Sequence, residues 1–338
     1  RDLAVFAIYR VALGLLVLFL GCATPPHKHA GELGLDPPQR PAPESLSPLA
    51  RRLRAHVATL AGEIGQRNPM HPAQLEAARD YVAGSLRGFG YEPAILPYHS
   101  RFLGGIQDGT TFYNVSIHAG PAPGPGKELW VLGAHYDTAW DTPGADDNAS
   151  GTAVLLELAR GLKETPPSVP VELVAFSTEE PPAFATDNMG SRRHARDLKQ
   201  TGTPVAGMIS LEMLGYFDSR KGSQIYPPFT RWFIPDTGDF IALAGNFKSR
   251  RFLARVRRAW PEGTDPPLLA KWLPEFQTIR LSDNASYWDE GFAALMLTDT
   301  ASYRNPRYHE KDDTPESLDY EKMAVIAESL LAVLRAPR

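Results

Sequence analysis

Cysteine is nearly absent from the sequence, and so is a strong excess of charge of either sign. Cys22 is the single cysteine among 338 residues, so the fold depends on no intrachain disulfide and holds no structural zinc on a set of cysteines. The 35 basic and 39 acidic residues leave a formal net charge of −4, and no basic block is dense enough to bind phosphates in a row. We therefore expect no nucleic acid partner.

Apolar runs of membrane-spanning length are lacking too. The run from Val11 to Leu20 is too short for an ordinary membrane span, and the letters FLGC follow it at positions 19–22. A small residue and then a cysteine after an apolar segment are typical of a bacterial lipoprotein signal. We therefore predict that residues 1–22 are a lipoprotein-type signal or membrane anchor, that Cys22 is lipidated, and that the protein is exported to the bacterial cell envelope. The alternatives are an uncleaved anchor and a buried helix with an incidental cysteine.

The rest of the chain divides into a tether and one large domain. Residues 23–48 are rich in proline and show no apolar periodicity, which is typical of an extended tether. Residues 49–338 show no internal repeat and no second core, and 43% hydrophobic residues in the chain suffice for a sizeable core. We predict a single catalytic domain over 49–338, with membrane contact through the N-terminal segment only.

Strand and helix patterns alternate through this domain. Helices are predicted at 49–61, 72–86, 150–162, 190–200, 239–260 and 320–334, and strands at 111–119, 128–136, 169–177, 205–214 and 293–300. Alternation of this kind indicates βαβ units with helices on both faces of the sheet. The predicted fold is therefore α/β, a three-layer α/β/α sandwich around a mostly parallel mixed sheet.

Acidic residues and histidines follow the ends of four predicted strands. One strand ends in His135, Tyr136 and Asp137, Glu179 and Glu180 come at the end of the next, and Glu212 lies at the end of a third. The last strand leads to His309, and Asp147 lies in the loop after the first. Carboxyl ends of parallel strands meet at one edge of a sheet, where so many carboxylates would repel one another unless a divalent metal lay between them. Imidazole and carboxylate ligands suit zinc.

Each of these residues also has a structural explanation when it is taken alone. Asp146, Asp147 and Asn148 are good caps for the helix predicted to begin at 150. Glu179 and Glu180 fit a solvated turn, and a single histidine at a strand end is more often a satisfied polar residue than a ligand. Their joint placement at one edge favours the metal site.

Five motifs, in order, resemble those of metallopeptidase family 28: GAHYDT, GADDNASG, STEE, SLEMLGY and YHEKDDT. The family contains zinc aminopeptidases and glutamate carboxypeptidase-like enzymes, with glutaminyl cyclases as relatives. The resemblance extends from about residue 72 to the C-terminus and implies the zinc-aminopeptidase fold. It also implies two Zn²⁺ ions, one held by His135, Asp147 and Glu212, and the other by Asp147, Glu180 and His309.

The resemblance further implies a mechanism. Zinc lowers the pKa of water towards about 7, and Glu179 is the implied general base. Asp137 is the implied residue that orients His135. Many relatives carry Asp-His where this sequence has Asp283-Asn284, so no role of that histidine is carried over, and Asp283 is expected to support the metal ligands.

The function implied is that of an exopeptidase, most simply an aminopeptidase acting on peptides. Tyr303, Trp288 and Phe292 are candidates for an apolar substrate pocket, although aromatic residues are more often part of a core. A glutaminyl cyclase on the same scaffold is the first alternative, and a non-catalytic binding module is the second. Because cyclases of the family tend to lose the DDNASG pattern that this chain retains, the hydrolase is favoured.

Overall fold

A computed structural model describes residues 38–101, 104–225, 235–275 and 277–336. Within these ranges, eight strands form one sheet and seven α-helices pack on it. The strands are β1 (Ala94–His99), β2 (Thr111–Ala119), β3 (Leu129–His135), β4 (Val171–Phe176), β5 (Val205–Glu212), β6 (Ile241–Gly245), β7 (Leu268–Trp272) and β8 (Ala294–Thr298). The α-helices are α1 (Pro48–Val57), α2 (Pro72–Gly88), α3 (Gly151–Glu164), α4 (Gly190–Gln200), α5 (Arg250–Ala259), α6 (Asn284–Asp289) and α7 (Tyr320–Arg335).

The sheet is mixed, with a parallel centre. Its strand order is β1-β2-β4-β3-β5-β8-β6-β7. Strands β4, β3, β5 and β8 run parallel to one another, whereas β2 is antiparallel to β4 and β6 is antiparallel to β8. The parallel centre brings the carboxyl ends of four strands to one edge, which is where ligand sites form in α/β sheets.

Helices cover both faces of the sheet. Helices α1, α2, α3, α5 and α7 bury their apolar sides in the larger core on one face, and α4 and α6 contribute to a smaller core on the other. The predicted α/β/α sandwich around a mostly parallel mixed sheet is confirmed.

Helix α7 illustrates how the sequence specifies these elements. Asp319 caps the helix by accepting a hydrogen bond from the backbone N–H of Lys322 at 3.1 Å, a contact worth about 1 kcal/mol. The apolar residues that recur at helical spacing are buried in the larger core: Met323, Ile326, Ala327, Leu330 and Leu334.

The prediction of a helix over 239–260 was wrong for its first part. Residues Ile241–Gly245 form strand β6, and the helix α5 begins only at Arg250. The side chain of Asn246 accepts hydrogen bonds from the backbone N–H and the hydroxyl of Ser249, which turns the chain between strand and helix. A short apolar run such as IALAG cannot be told from a buried helix by periodicity alone. Strands β1 and β7, at the two edges of the sheet, were not predicted.

The N-terminal predictions lie mostly outside the described residues. Residues 1–22, with Cys22, and residues 23–37 of the predicted tether are not described. The remaining part of that segment lies against the domain: Leu46 is buried, and Arg40 donates hydrogen bonds to the carbonyl oxygens of Phe217 and Ser317. Across the described ranges, none of the helices is both long and apolar enough to cross a membrane.

Candidate metal centre

The sheet delivers most of the predicted site residues to one edge. His135 ends β3 and Glu212 ends β5, its parallel neighbour. Glu179 and Glu180 follow β4, which pairs with β3 on its other side. His309 arrives in the loop between β8 and α7. Residues far apart in sequence are thus brought together because neighbouring parallel strands end at the same level.

The backbone takes unusual conformations next to these side chains. Thr178, Met213 and His309 have φ angles of 56°, 48° and 60°, in the left-handed region that residues other than glycine seldom adopt. Thr178 directly precedes Glu179, and Met213 directly follows Glu212. Non-glycine residues in this region cost of order 1–3 kcal/mol and concentrate at functional sites.

The loop that carries Asp147 depends on a glycine. Gly144 has a φ of 62°, and a Cβ added there would lie 2.3 Å from the carbonyl oxygen of Asp147. A side chain at this position would therefore displace the turn that presents Asp147 to the site.

Asp147 lies between two histidines. Its Oδ1 is 3.3 Å from Nε2 of His135, and its Oδ2 is 3.1 Å from Nε2 of His309. Glu212 Oε2 lies 3.5 Å from the first imidazole nitrogen, and Glu180 Oε1 lies 3.4 Å from the second. The arrangement consists of two groups that share one carboxylate.

Four buried atoms in these groups have no hydrogen-bond partner among the described residues. They are His135 Nε2, Asp147 Oδ1, Glu180 Oε1 and His309 Nε2. Buried polar atoms are normally paired, and leaving one unpaired costs about 1–3 kcal/mol. Four such atoms that face one another are better explained as ligand atoms.

The distances between candidate ligand atoms suit metal ions. In the trios His135–Asp147–Glu212 and Asp147–Glu180–His309, one ligand atom from each residue lies within 4.8 Å of the others. A third trio, His135–Glu179–Glu180, meets the same criterion. Imidazole nitrogen and carboxylate oxygen are ordinary zinc ligands, and a shared carboxylate is the arrangement of two-metal sites. The residues present therefore fit zinc.

Asp137 contacts both His135 and the backbone of the two glutamates that follow β4. Its Oδ1 lies 3.4 Å from Nδ1 of His135, on the side of the ring away from Asp147. The same carboxylate accepts hydrogen bonds from the backbone N–H groups of Glu179 and Glu180, at 3.0 and 3.2 Å. Asp137 thus links the end of β3 to the segment after β4, in addition to the orienting role predicted for it.

Burial and crowding raise the pKa values of the three glutamates at the centre. Burial, with Glu180 and Glu212 nearby, raises the pKa of Glu179 well above its usual range. Burial and the neighbouring Asp147 raise the pKa of Glu180 to about 7, and burial also raises the pKa of Glu212. A general base needs a pKa near the working pH, so a raised value suits the role predicted for Glu179.

The pKa values of the two histidines and of Asp147 shift in the direction opposite to that expected for isolated buried groups. Burial opposes the charged form of His309, but Glu180 and Asp147 raise its pKa to about 11. Burial opposes ionisation of Asp147 as well, yet the nearby imidazole rings of His135 and His309 hold its pKa below the usual range. When only the protein groups are considered, protons on the imidazole rings offset the negative charge of the carboxylates. A bound metal ion would supply that positive charge instead.

Asp313 is a structural partner of the site that the sequence analysis missed. It is fully buried, and its carboxylate accepts hydrogen bonds from the backbone N–H groups of Asp146 and Asp147 at 3.0–3.1 Å. Asp146 accepts hydrogen bonds from Gly215 N–H and from the Asn305 side chain. The YHEKDDT motif contains Asp313, but nothing in the letters showed that it supports the Asp147 loop.

Arg67 is the second residue that was missed. Its guanidinium is fully buried and donates to five carbonyl oxygens, including those of Tyr136, Pro143 and Gly144. Burial lowers its pKa to about 10, opposed by Asp137 and Asp313. Arg67 fixes the backbone between His135 and Asp147 and places a cation near the acidic centre. A lone arginine between two helices gives no sequence signal for such a role.

The segment of Ser282 and Asp283 lies against the centre. The Ser282 hydroxyl donates a 2.7 Å hydrogen bond to Glu212 Oε2, a contact that was not predicted. Asp283 is fully buried, neither of its carboxylate oxygens has a hydrogen-bond partner in the described part of the chain, and burial raises its pKa to about 7.

The three aromatic residues predicted to form a substrate pocket lie in two different places in the structure. Tyr303 lines an apolar groove beside Glu212. Trp288 is buried in the smaller core, where its indole N–H donates to the carbonyl oxygen of Ala294 at 3.0 Å, and Phe292 packs against the same core. Tyr308, which was not predicted, lines the groove and stacks on the His309 ring with 3.8 Å between centroids.

Comparison with known proteins finds relatives among zinc peptidases. Residues 114–334 match peptidase family M28. The uncharacterized protein YfbL of Escherichia coli K12 is 44% identical over 236 residues, which cover 67% of this chain and 71% of that protein. A probable zinc metalloprotease of Pyrenophora tritici-repentis is 32% identical over 46% of this chain, and the match covers 34% of its own length. Aminopeptidase YwaD of Bacillus subtilis is 34% identical over 29% of this chain and 21% of its own length.

Solved structures share the fold. A Zn-dependent exopeptidase from Parabacteroides distasonis has a TM-score of 0.63 at 20% identity, covering 85% of this chain and 98% of that one. A Bacteroides thetaiotaomicron glutaminyl cyclase has a TM-score of 0.64 at 18% identity, covering 90% of this chain and 100% of its own. At these identities the likeness concerns the fold alone.

Proposed function

The chain belongs to peptidase family M28, and from that membership we propose that it is a two-zinc aminopeptidase that hydrolyses N-terminal residues of peptides. The family and its relatives establish a hydrolase of the zinc exopeptidase type. The observation that carries the finer proposal is the pair of ligand trios that share Asp147, together with four unpartnered buried atoms that face one another. Two ligand trios that share one carboxylate support two ions, one for each trio.

The chain's own residues divide the work. His135, Asp147 and Glu212 would hold one zinc ion, and Asp147, Glu180 and His309 the other. When bound, zinc lowers the pKa of water and polarises a carbonyl group. Asp137 keeps the His135 ring oriented and fixes the backbone of Glu179 and Glu180.

Glu179 is the proposed general base. Its Oε2 lies 4.0 Å from Nε2 of His135, so it faces the centre without belonging to either of the two trios that share Asp147. Its raised pKa favours accepting a proton and returning it to the leaving amine. Glu179 and Glu180 differ in role because their carboxylates face different histidines: Glu179 Oε2 lies 4.0 Å from Nε2 of His135, and Glu180 Oε1 lies 3.4 Å from Nε2 of His309.

A peptide is the proposed substrate, and the aminopeptidase name of the Bacillus subtilis relative supports it. Export as a bacterial lipoprotein, with lipidation at Cys22 and membrane contact through residues 1–22, remains a separate proposal. It rests on the sequence of residues outside the described ranges.

A substrate-library assay tests the function. We expect the zinc-loaded protein to release N-terminal residues from unblocked peptides and to leave N-acetylated versions intact, with Glu179→Gln as the inactive control. Release of ammonia and a pyroglutamyl product from a Gln-peptide, without peptide-bond cleavage, would identify a glutaminyl cyclase instead. Stoichiometric zinc with no turnover of any library member would favour a binding module.

A further inference from the structure

Helix α5 presents a basic face to solvent. Six of the eleven residues from 248 to 258 are basic and none is acidic, although the whole chain has a formal net charge of −4. The apolar side of the helix is buried in the larger core. Residues seven apart lie on the same side of a helix, so Arg250 and Arg257 form one row and Arg251 and Arg258 a second, each about 10 Å long. Arg251, Arg257 and Arg258 are exposed, and Arg250 is partly exposed.

The stability of the helix does not explain these arginines. Arg250 and Arg251 lie in the first turn, where the helix dipole disfavours positive charge and no acidic residue offsets it. Arg251 and Arg255 are like charges four residues apart, a spacing that destabilises a helix. Among the described residues, no acid forms an ion pair with Arg250, Arg251, Arg257 or Arg258. The face is therefore open to an anionic partner.

Two exposed aromatic rings lie beside this face. Phe247, in the turn before α5, and Trp272, at the end of β7, are 57% and 53% exposed, and their rings meet edge to face with 5.6 Å between centroids. The guanidinium of Arg250 lies 4.1 Å from the centroid of the Phe247 ring. A single exposed apolar residue needs no explanation, whereas an adjacent pair beside a charged face favours an interaction site.

The aromatic pair lies at the end of the sheet away from the metal centre. Phe247 follows β6 and Trp272 ends β7, and both strands run antiparallel to β8. Gly245 of β6 pairs with Leu295 near the start of β8, whereas the other end of β8 lies beside Glu212. Three strand residues, or about 10 Å, separate the two levels. A surface bound by the aromatic pair therefore leaves the candidate metal centre on the far side.

We name the four arginines and the two aromatic residues the α5 patch: Phe247, Arg250, Arg251, Arg257, Arg258 and Trp272. We propose that the α5 patch docks the protein on a lipid bilayer that contains anionic phospholipids. The arginines lie against phosphate headgroups, and the aromatic rings enter the interface between headgroups and acyl chains, where tryptophan is enriched in membrane proteins.

A bilayer is favoured over other anionic partners because one flat surface meets both parts of the patch. Phosphates contact the arginine rows along α5, and the apolar region below them receives the rings at its end. The inference goes beyond the proposed function and does not depend on it. It also replaces the expectation that the membrane is contacted through the N-terminal segment only.

Vesicle binding tests the role of charge. Full-length protein would be titrated with vesicles of phosphatidylcholine alone and with vesicles of equal parts phosphatidylcholine and phosphatidylglycerol. One basic residue near an anionic surface strengthens binding about fivefold, so the double variant Arg251→Gln, Arg258→Gln should bind the anionic vesicles about 25-fold more weakly. Its affinity for neutral vesicles should not change. Because the N-terminal segment is the same in every variant, its own lipid contact cancels in the comparison.

Two exposed arginines near the opposite edge of the sheet provide the control. Arg87 ends α2, which packs on β2, and Arg101 follows β1. The double variant Arg87→Gln, Arg101→Gln should keep both affinities within about twofold of wild type. Equal affinity of the wild type for the two kinds of vesicle, or equal losses in the patch and control variants, overturns the proposal.

The aromatic rings separate a bilayer from other anionic partners. Trp272→Ala should lower the affinity for anionic vesicles about tenfold, because the ring no longer becomes buried on binding. Trp140→Ala removes a ring that is equally exposed, at 55%, in the loop after β3, and should have no such effect. Tighter binding of the wild type to duplex DNA or to polyglutamate than to anionic vesicles would assign the patch to a nucleic acid or an acidic protein and overturn the proposal.

A fluorescent label reports which end of the domain meets the bilayer. Cys22 is the single cysteine, so Cys22→Ser protein can be labelled at one new cysteine. Nitrobenzoxadiazole attached through Lys248→Cys, next to Phe247, should brighten on anionic vesicles, whereas the same label attached through Trp140→Cys should not. Brightening at position 140 and none at position 248 would place the metal-centre end on the bilayer and refute the proposed docking.

Discussion

Two groups of buried carboxylates in the molecule have opposite surroundings. On the helical face of the larger core, Glu157 of α3 meets Arg52, His56 and Arg160 at 2.8, 3.2 and 3.1 Å. Burial opposes its ionisation, but these partners lower its pKa to about 2. At the metal centre, burial raises the pKa of Glu179, Glu180 and Glu212.

The difference shows what each region is for. The protein neutralises Glu157 with its own cations, so this cluster belongs to the structure of the domain. The metal centre, by contrast, has unpartnered ligand atoms and raised pKa values. A folded chain tolerates such crowding where a bound cation offsets it, so the comparison assigns stability to one region and chemistry to the other.

Replacing the proposed base should produce the largest effect and sharpen this contrast. Glu179→Gln should lower kcat by about 10² to 10⁴-fold, because a general base contributes that much, while zinc content stays the same. Glu157→Gln should leave kcat within a few fold. Steady-state assays and elemental analysis of both variants check this. A fully active Glu179→Gln protein removes Glu179 from the mechanism.

Zinc should stabilise the domain through one region only. With free zinc at 1,000 times its dissociation constant, the free energy of unfolding should increase by about 4 kcal/mol for each of the two proposed ions. Glu157→Gln protein should gain the same amount, whereas a His135→Ala, His309→Ala double variant should gain much less. Denaturant titrations with and without zinc measure the gain. An equal gain in the double variant would place the zinc elsewhere.

Asp137 offers a weaker way to disturb the centre alone. Asp137→Asn keeps the size of the side chain but weakens the contacts to His135 and to the backbone of Glu179 and Glu180. We expect a 10- to 100-fold loss of zinc affinity, measured by competition with a chelator. Asp141→Asn, in the loop beyond, is the matched control. Unchanged zinc affinity in Asp137→Asn would show that this carboxylate serves folding only.

The smallest expected effect is the pH dependence of stability. Lowering the pH should remove the contribution that Glu157 makes to the free energy of unfolding. The pKa of Glu157 is lower in the folded chain, about 2, than its ordinary value of 4.5, so Glu157 stabilises fully above that value and loses its contribution as pH falls towards 2. In zinc-free protein, the difference in unfolding free energy between wild type and Glu157→Gln, on the order of 2 kcal/mol at pH 7, should shrink below pH 4.5. A difference that is constant down to pH 3 would contradict the pairing.

The sequence predicted the architecture well where patterns were long. The alternation of strands and helices, and the apolar face of α7, follow from periodicity. It failed over Ile241–Gly245, because a five-residue apolar strand has no distinctive period, and over edge strands β1 and β7, which are only partly buried. Strand β7 matters most among these, since its residues Leu269 and Lys271 line the apolar groove beside Glu212.

The candidate ligands were predictable because each lies at the end of a strand or in the loop after one, within a recognisable motif. The residues that hold the ligand-bearing loops in place were not predictable. Asp313 holds the Asp147 loop from 166 residues away, and Arg67 binds carbonyl oxygens of a segment about 70 residues further on. Hydrogen bonds from side chains to distant backbone leave no periodic or motif signal, because any polar residue that reaches the carbonyl or N–H group serves.

The zinc content of the purified chain tests the central claim most directly. The chain would be stripped with a chelator, dialysed to equilibrium against micromolar zinc, and measured by mass spectrometry against protein concentration, beside Glu157→Gln and the His135→Ala, His309→Ala double variant. We predict two zinc ions per chain in the wild type and in Glu157→Gln, and neither ion at full occupancy in the double variant. One ion or none in the wild type, or two retained in the double variant, would contradict a two-metal centre built on Asp147.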